Sequence, residues 1–434
     1  MKLFQQMLVA TAALGLVAPI AAQASDVLNL DGMNDYSRSK KSAKRIDSKT
    51  FVTEVNEEIA NLKGRIDGLE AQQNNFEAGS FSDTTTLDGK AVFYMGAVDG
   101  ATKVDATDTE SLQTGYTYTM NLNTSFTGDD NLYVRLRTGA SGAIWGAKTT
   151  SYHLDRYSGT TDALAVDKIW YTFPVGIEGW TATVAPKIEN YYMLAATPSI
   201  YKPGVLKAFK LGGHSAVNGA STDGGAGIKY VNDNGFAFAS NFVSKGSKTT
   251  AGIFTKQDKN KWDTQVAYTK PSYHVSLTYS NQNNGWNSFS YYATSDAATI
   301  AATADSTAYM LRGYWRPDDS GTGTPEISVG YDVLDVTGNG NDVKEADSYF
   351  VGLGWSDMLT PDDKIGLAFG QPLKATKYGA SGSTDVDPFL WEAYYSYKVN
   401  DSVTVQPAIF GGSDVRSDTE DDMFGVALTS YFKF

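Results

Sequence analysis

The chain closes on DDMFGVALTSYFKF, residues 421–434. Apolar side chains fall at every second position, at Phe424, Val426, Leu428, Phe432 and Phe434, interrupted only at Ser430. Gly425, Ala427, Thr429 and Lys433 take the alternate places. A period of two marks a β-strand with one apolar face. Domain ends are usually loosely held and polar, so an aromatic stripe reaching the last residue calls for an apolar surrounding.

The same period recurs from residue 90 onward. In TYTMNLNTSF, Tyr118, Met120, Leu122 and Phe126 share one face, opposite Thr117, Thr119, Asn121 and Asn123. In NLYVRLRTG, Leu132, Val134 and Leu136 oppose Tyr133, Arg135 and Arg137. In GWTATVAPK, Trp180, Ala182 and Val184 oppose Thr181, Thr183 and Lys187, and in PEISVGYDV, Ile327, Val329, Tyr331 and Val333 oppose Glu326, Ser328, Gly330 and Asp332. Some connections are tight: TGDD (127–130), GIEG (176–179), NDNG (232–235), QDKN (257–260) and NDS (400–402). Others are longer and polar: 99–113, 140–165, 187–225, 295–304, 335–344, 372–385 and 411–421. The strand count is about 18, with 16 the nearest alternative because KPS (270–272) and NNG (283–285) are ambiguous; a closed ring requires an even number.

A soluble sandwich or propeller keeps its apolar face inside, whereas a membrane barrel turns it to lipid. The second face here is rich in Gly, Thr, Ser and Asn with scattered Arg and Lys, as a water-filled wall would be. Aromatics gather near strand ends, as at Tyr171 and Phe173, Tyr309 and Trp315, and Phe389, Trp391, Tyr395 and Tyr397, where interface girdles lie. Short and long connections match the two rims of an outer-membrane barrel. The expected fold is all-β: a transmembrane antiparallel β-barrel of about 16–18 strands over residues 80–434, preceded by a short helical coiled coil.

Upstream, residues 1–24 read as a signal peptide, with Lys2, an apolar run from Leu8 to Ile20 and the small-residue site Ala22-Gln23-Ala24. Its removal takes the net charge from −13 to −14, which argues against nucleic acid as a partner. Residues 25–51 form a basic linker; Arg38, Lys40, Lys41, Lys44, Arg45 and Lys49 face one acid, Asp47, over 38–49. This stretch is either a solvated linker or a contact for anionic cell-wall polymer. Residues 52–78 form the coiled-coil helix, whose seam is Val52, Val55, Ile59, Leu62, Ile66 and Leu69. A single amphipathic helix is the alternative, but the strict 3,4 spacing favours association, and Ile at a with Leu at d favours dimers. The chain has no Cys, which excludes disulfides and thiolate chemistry.

FTGDDNLYVRLRTG (126–139), DKIWYTFPVG (167–176), APKIENYYMLAATPSIY (185–201) and FLWEAYYSYKVNDSVTVQPAIFGG (389–412) together resemble the porins of cyanobacterial outer membranes, within the carbohydrate-selective (OprB-like) porin family. The resemblance covers about residues 80–434 and implies passive diffusion of small hydrophilic solutes, inorganic ions and carbohydrates among them, through a homotrimer. Family members often begin with an S-layer homology domain; the 27 residues from Ser25 to Val52 are too few for one. The end of the chain also resembles the signal read by the barrel assembly machinery, carried by Phe432 and Phe434. Lipid bilayer and lipopolysaccharide are the expected surroundings.

A passive pore needs a constriction whose charges sort solutes. The longest connection, 187–225, is the candidate for a loop folded into the lumen, carrying Lys187, Glu189, Lys202, Lys207, Lys210 and His214. Strand parity turns Arg135, Arg137, Lys168 and Arg312 inward, with Glu326, Asp332 and Glu392. The expectation is a neutral-to-weak-anion preference, with Lys187 or Glu189 at the constriction; alternatively, these bases only pair with lumenal acids. Tyr191, Tyr192 and Tyr201 are candidate sugar contacts. No cofactor or metal is expected; DVTGNGND (335–342) lacks the Ca²⁺-loop order. An enzyme would need a His base, and His153, His214 and His274 stand in no motif. An energised transporter would need a plug larger than residues 25–89, and a membrane–wall tether with little transport is the remaining alternative.

Overall fold

The computed structural model describes residues 63, 80–82, 84–99, 112–141, 154–155, 157–158, 160–213, 221–286, 304–318, 323–337, 343–379, 387–414 and 422–434. The expected signal peptide, basic linker and coiled coil lie, Lys63 apart, outside the described residues, as do His153 and His214.

The strands in chain order are β1 (Ser80–Ser82), β2 (Thr85–Asp99), β3 (Gln113–Thr124), β4 (Asn131–Ser141), β5 (Ala165–Pro174), β6 (Trp180–Ile188), β7 (Asp223–Val231), β8 (Phe236–Ser244), β9 (Asn260–Thr269), β10 (Tyr273–Asn283), β11 (Asp305–Trp315), β12 (Glu326–Thr337), β13 (Val343–Ser356), β14 (Lys364–Tyr378), β15 (Phe389–Lys398), β16 (Val403–Ser413) and β17 (Met423–Lys433). β1 is a short addition to the edge of β2. From β2 to β17 each strand pairs antiparallel with its chain neighbour, and β17 returns to β2, closing a 16-stranded barrel. Closure leaves no open edge, the condition for a sheet in lipid, where no water satisfies backbone N–H and C=O groups.

Alternation decides which face meets lipid. On β10, Val275 is 48% and Leu277 49% exposed, whereas His274, Ser276, Thr278 and Ser280 are buried inside the ring. The apolar face therefore points outward around the barrel, at Phe93, Val184, Val266, Leu311, Val329 and Phe424 among others. In water such a band would aggregate; in a bilayer it is solvated.

One rim carries the connections 125–130, 175–179, 232–235, 270–272, 316–325, 357–363 and 399–402, and the other carries 100–112, 142–164, 189–222, 245–259, 284–304, 338–342, 379–388 and 414–422. KPS (270–272) is thus a tight turn, and NNG (283–285) opens a long connection. QDKN (257–260) differs from the sequence expectation: it ends the connection 245–259 on the long-loop rim. Its Asp258 is fully buried and accepts from Ser244 Oγ (2.5 Å), Gly246 N (3.1 Å) and Phe254 N (3.1 Å), so the polar run folds the loop upon itself. Carboxylates also build the short turns. Asp130 accepts from the amides of Phe126 and Thr127 and from the Tyr171 hydroxyl at 2.6 Å. Asp363 accepts from the amides of Met358, Leu359 and Thr360 and from the Tyr395 hydroxyl at 3.1 Å.

The closing seam uses the chain's last residue. Gly89 N donates to the Phe434 carbonyl at 2.9 Å, and Phe434 N donates to the Gly89 carbonyl at 3.2 Å. The Phe434 ring covers Gly89 so closely that a Cβ there would lie 2.5 Å from it, and it stacks on Tyr118 at 5.7 Å. Removal of Phe434 deletes this backbone pair and the ring that shields it, and is expected to lower the yield of heat-modifiable folded barrel in outer-membrane fractions. Normal yield would contradict the role given to this seam.

Candidate functional site: the loop-crossed lumen

The connection 189–222 leaves β6, and its described stretch 189–213 runs through the inside of the barrel to the opposite wall. Its first contacts are near: Asn190 Nδ2 donates to Asn241 Oδ1 on β8 (2.8 Å) and to the Lys261 carbonyl on β9 (3.2 Å). The Ala196 amide and carbonyl then both bond the Gln265 side chain, at 3.0 and 3.1 Å. Across the lumen, Glu392 on β15 accepts four donors: Tyr201 Oη (2.8 Å) and the amides of Gly204 (2.8 Å), Val205 (2.9 Å) and Leu206 (2.6 Å). Gln406 on β16 donates to the Gly204 carbonyl at 3.1 Å. Returning, the loop presents the Leu211 carbonyl to Arg312 Nε at 3.1 Å. Arg312 is itself buried and paired with Asp332 at 2.7 Å. The loop backbone touches the wall here: a Cβ at Gly330 would sit 1.8 Å from the Gly212 oxygen.

These contacts close much of the lumen. Tyr201, Val205, Leu206 and Phe209 of the loop, with Leu154 of the connection 142–164, pack on Val92, Tyr94, Phe350, Leu390 and Phe410 of the wall. Leu154 and Leu206 also form an isolated antiparallel bridge. Arg312 and Glu392, expected along the pore, therefore stand buried as anchors for the loop.

The wall of β3 to β6 keeps its charges at the loop's near end. Lys168 Nζ lies 2.8 Å from Glu189 and 3.2 Å from Asp167. Arg135 donates to Tyr192 Oη (3.0 Å) and to Asn121 Oδ1 (3.0 Å). Arg137 donates to the Tyr157 carbonyl at 2.7 Å, and Lys210 pairs with Asp155 at 3.5 Å. Aromatic rings run between these cations. Tyr133 stacks on Trp170 with centroids 4.1 Å apart, Trp170 meets Tyr192 at 5.0 Å, and Tyr192 meets Tyr191 at 4.6 Å. Arg135 lies 5.6 Å from the Tyr133 centroid and Lys168 5.5 Å from that of Tyr192, within cation–π range.

Two loop groups have shifted protonation. Burial alone would raise the Glu189 carboxyl, but the Lys168 ammonium and the Tyr191 hydroxyl outweigh it and hold the group at about 2. Burial pushes the Lys207 ammonium down to about 7, helped by Lys210 and Arg137 and opposed by Asp155 and Glu189.

Lys187 lies elsewhere. Register shifts on both sides of β6 make Ile169 pair with Lys187 while Tyr171 pairs with Val184. The extra residue reverses the parity counted from Thr181 and Thr183, as a bulge does, and places Lys187 on the outer side, where its Nζ bonds the Val166 carbonyl. His274 meets hydroxyls on both ring nitrogens, Thr269 Oγ1 at 2.7 Å and Ser276 Oγ at 2.9 Å, and stacks on Tyr314 at 4.7 Å, a wall position with no carboxylate partner. Among the described residues no three His, Asp or Glu side chains converge as a metal site. Asp167, Trp170 and Tyr157 escaped the sequence reading. Trp170 carried a signal, since it shares the inward parity of Lys168; Tyr157 carried none.

Residues 44–410 match the model of the carbohydrate-selective porin, OprB family. The chain belongs to this family. Similar proteins include uncharacterized proteins of Nostoc sp. (24% identical, covering 87% of this chain and 70% of the relative) and Synechocystis sp. (23%, 83% and 71%). Among solved structures, OprB of Pseudomonas putida superposes with a TM-score of 0.59 at 10% identity, over 84% of this chain and 96% of its own. The anion-selective porin of Comamonas acidovorans gives 0.53 at 11% identity, over 81% and 99%. Family and barrel together make this chain an outer-membrane porin.

In this OprB-family barrel, Glu392→Gln turns one acceptor oxygen into a donor facing backbone amides, at an expected cost of about 1–3 kcal/mol. The loop, not the barrel, should bear it: protease cleavage within 195–210 and single-channel conductance rise, while heat-modifiable migration is unchanged. Cleavage and conductance equal to wild type would mean the loop is held elsewhere. A second expectation concerns pH. A lysine whose pKa is lowered to about 7 is charged below that pH and neutral above it, so anion-over-cation permeability should fall between pH 6 and 8, and Lys207→Met should flatten the profile.

Proposed function

We propose that the protein is a passive pore for small hydrophilic solutes, inorganic ions and carbohydrates, with a neutral-to-weak-anion preference. The observation that carries this reading is the wall of β3 to β6. Arg135, Arg137, Lys168 and Lys210 project among Tyr133, Trp170, Tyr191 and Tyr192 at the near end of the crossing loop. These four bases exceed the adjoining Asp155, Asp167 and Glu189 by one charge, and an excess of cations raises the local concentration of anions. Flat rings beside hydrogen-bonding side chains suit a sugar, whose C–H face packs on an aromatic while its hydroxyls bond Arg, Asn and Asp. Asp88, receiving Asn121 Nδ2 at 2.6 Å, and Asn123, receiving Asn131 Nδ2 at 3.1 Å, extend this polar lining along β2 to β4. Lys168 and Glu189 cancel as a pair, which leaves Arg135 and Arg137 to carry the excess charge of this wall.

In this reading the chain is exported by residues 1–24, is inserted by the barrel assembly machinery through Phe432 and Phe434, and assembles as a homotrimer in a membrane containing lipopolysaccharide. The basic stretch 38–49 provides contact with anionic cell-wall polymer.

Reversal potentials of single channels under a salt gradient test the selectivity. The wild type should prefer chloride over potassium, and Arg135→Ala/Arg137→Ala should shift the ratio toward the cation. Cation preference in the wild type, unchanged in the double variant, would overturn it. Liposome swelling with a neutral monosaccharide tests the solute class: swelling at the rate of protein-free liposomes would exclude sugars.

A further inference from the structure

A groove of about 760 Å³ lies on the outer, lipid-facing wall. It exists because β7 presents its small residues, Gly224 and Ala226, outward, between Tyr171, Val184 and Pro186 on one side and Phe242 and Phe254 on the other. The far wall is built deliberately. Phe254 is 77% exposed and holds a φ of +61°, a strained backbone for an aromatic residue. The buried Asp258 carboxylate fixes its amide at 3.1 Å, and its ring stacks on Phe242 at 4.8 Å.

Cations stand at the groove's long-loop end. Lys248 lines it, bonding the Thr222 carbonyl at 3.0 Å and Asp223 at 3.2 Å. Asp223 is the cross-strand partner of Ile188, so the neighbouring Lys187, turned outward by the β6 bulge, flanks the same end. Among the described residues its Nζ bonds a carbonyl alone, that of Val166, so there the pair of lysines carries one charge more than Asp223 offsets. The same connection also bears Lys245, Lys256 and Lys259. An apolar trough ending in surplus positive charge, at the long-loop rim of an outer-membrane barrel, complements one kind of molecule: an acyl chain ending in an anionic headgroup.

We infer that this groove binds one anionic acyl lipid of the loop-side leaflet, with the chain along Ala226 and the headgroup on Lys187 and Lys248. Neither lysine then serves the pore.

The test is native mass spectrometry of the full-length barrel released from detergent, with monophosphoryl lipid A or phosphatidylcholine added at equal concentration. Lipid A should give one retained adduct per chain, in excess over phosphatidylcholine. Lys187→Gln/Lys248→Gln should reduce it about tenfold, and Ala226→Trp, which fills the trough, should abolish it. Heat-modifiable migration verifies that each variant folds, and the surface lysine pair serves if the tryptophan does not. Equal adducts with both lipids, or adducts unchanged in the lysine variant, would overturn the inference. So would an oligomer that dissociates in Ala226→Trp without any lipid adduct in the wild type, since a second copy would then fill the groove.

Discussion

A loop that leaves the sheet and crosses a barrel carries amides with no strand to receive them, and an unpaired buried N–H is costly. In this porin one carboxylate resolves the problem. Glu392 receives Gly204, Val205 and Leu206 from the backbone and Tyr201 from the side. Hydrogen bonds to a charged acceptor are the strong ones, and three consecutive amides converging on one group fix the local chain direction. The apolar side chains of the same segment then have a defined surface to bury against, and the core of Val205, Leu206 and Phe209 on Phe350, Leu390 and Phe410 follows. The basic and aromatic side chains of β3 to β6 meet the other end of the same loop, at Glu189 and Tyr192.

Much of the barrel was legible in the chain. Period-two alternation turns on the pleat alone, so the outward stripe of Phe424, Val426 and Leu428 and the inward Arg135 and Arg137 follow from counting. The alternation of tight and long connections is also local information, carried by Gly, Asn and Asp. Counting fails where the pleat is interrupted. The bulge around Pro186 reverses the side on which Lys187 emerges; Pro186, which has no N–H for the ladder, is the one local hint of it, and parity counting passes over it. It fails again at QDKN, whose polar composition is that of a turn but whose Asp258 serves contacts up to 14 residues earlier. The anchoring role of Glu392 was beyond reach for a related reason: its partners lie 186 to 191 residues away in sequence, and only the closed ring brings them together.

In the proposed reading, the charge of the molecule and the charge of its passage have opposite sign. The chain carries a net −13, yet bases outnumber acids among the side chains at the loop's near end. In that reading the arrangement would separate two tasks, the acidic surface acting on what the molecule attracts and the lumen on what enters. It also limits what bulk composition says about selectivity, because the sorting depends on a few groups facing low-dielectric walls.

The central claim, that the stretch 189–213 rests pinned inside the barrel, has a direct test because the chain has no native cysteine. Leu154 and Leu206 face each other across an antiparallel bridge. The Leu154→Cys/Leu206→Cys protein should oxidise completely in the folded barrel, and its single-channel conductance should be the same before and after reduction, because the disulfide only retraces a position the loop already holds. A conductance that rises on reduction, or a pair that fails to oxidise, would show that the loop is not held there.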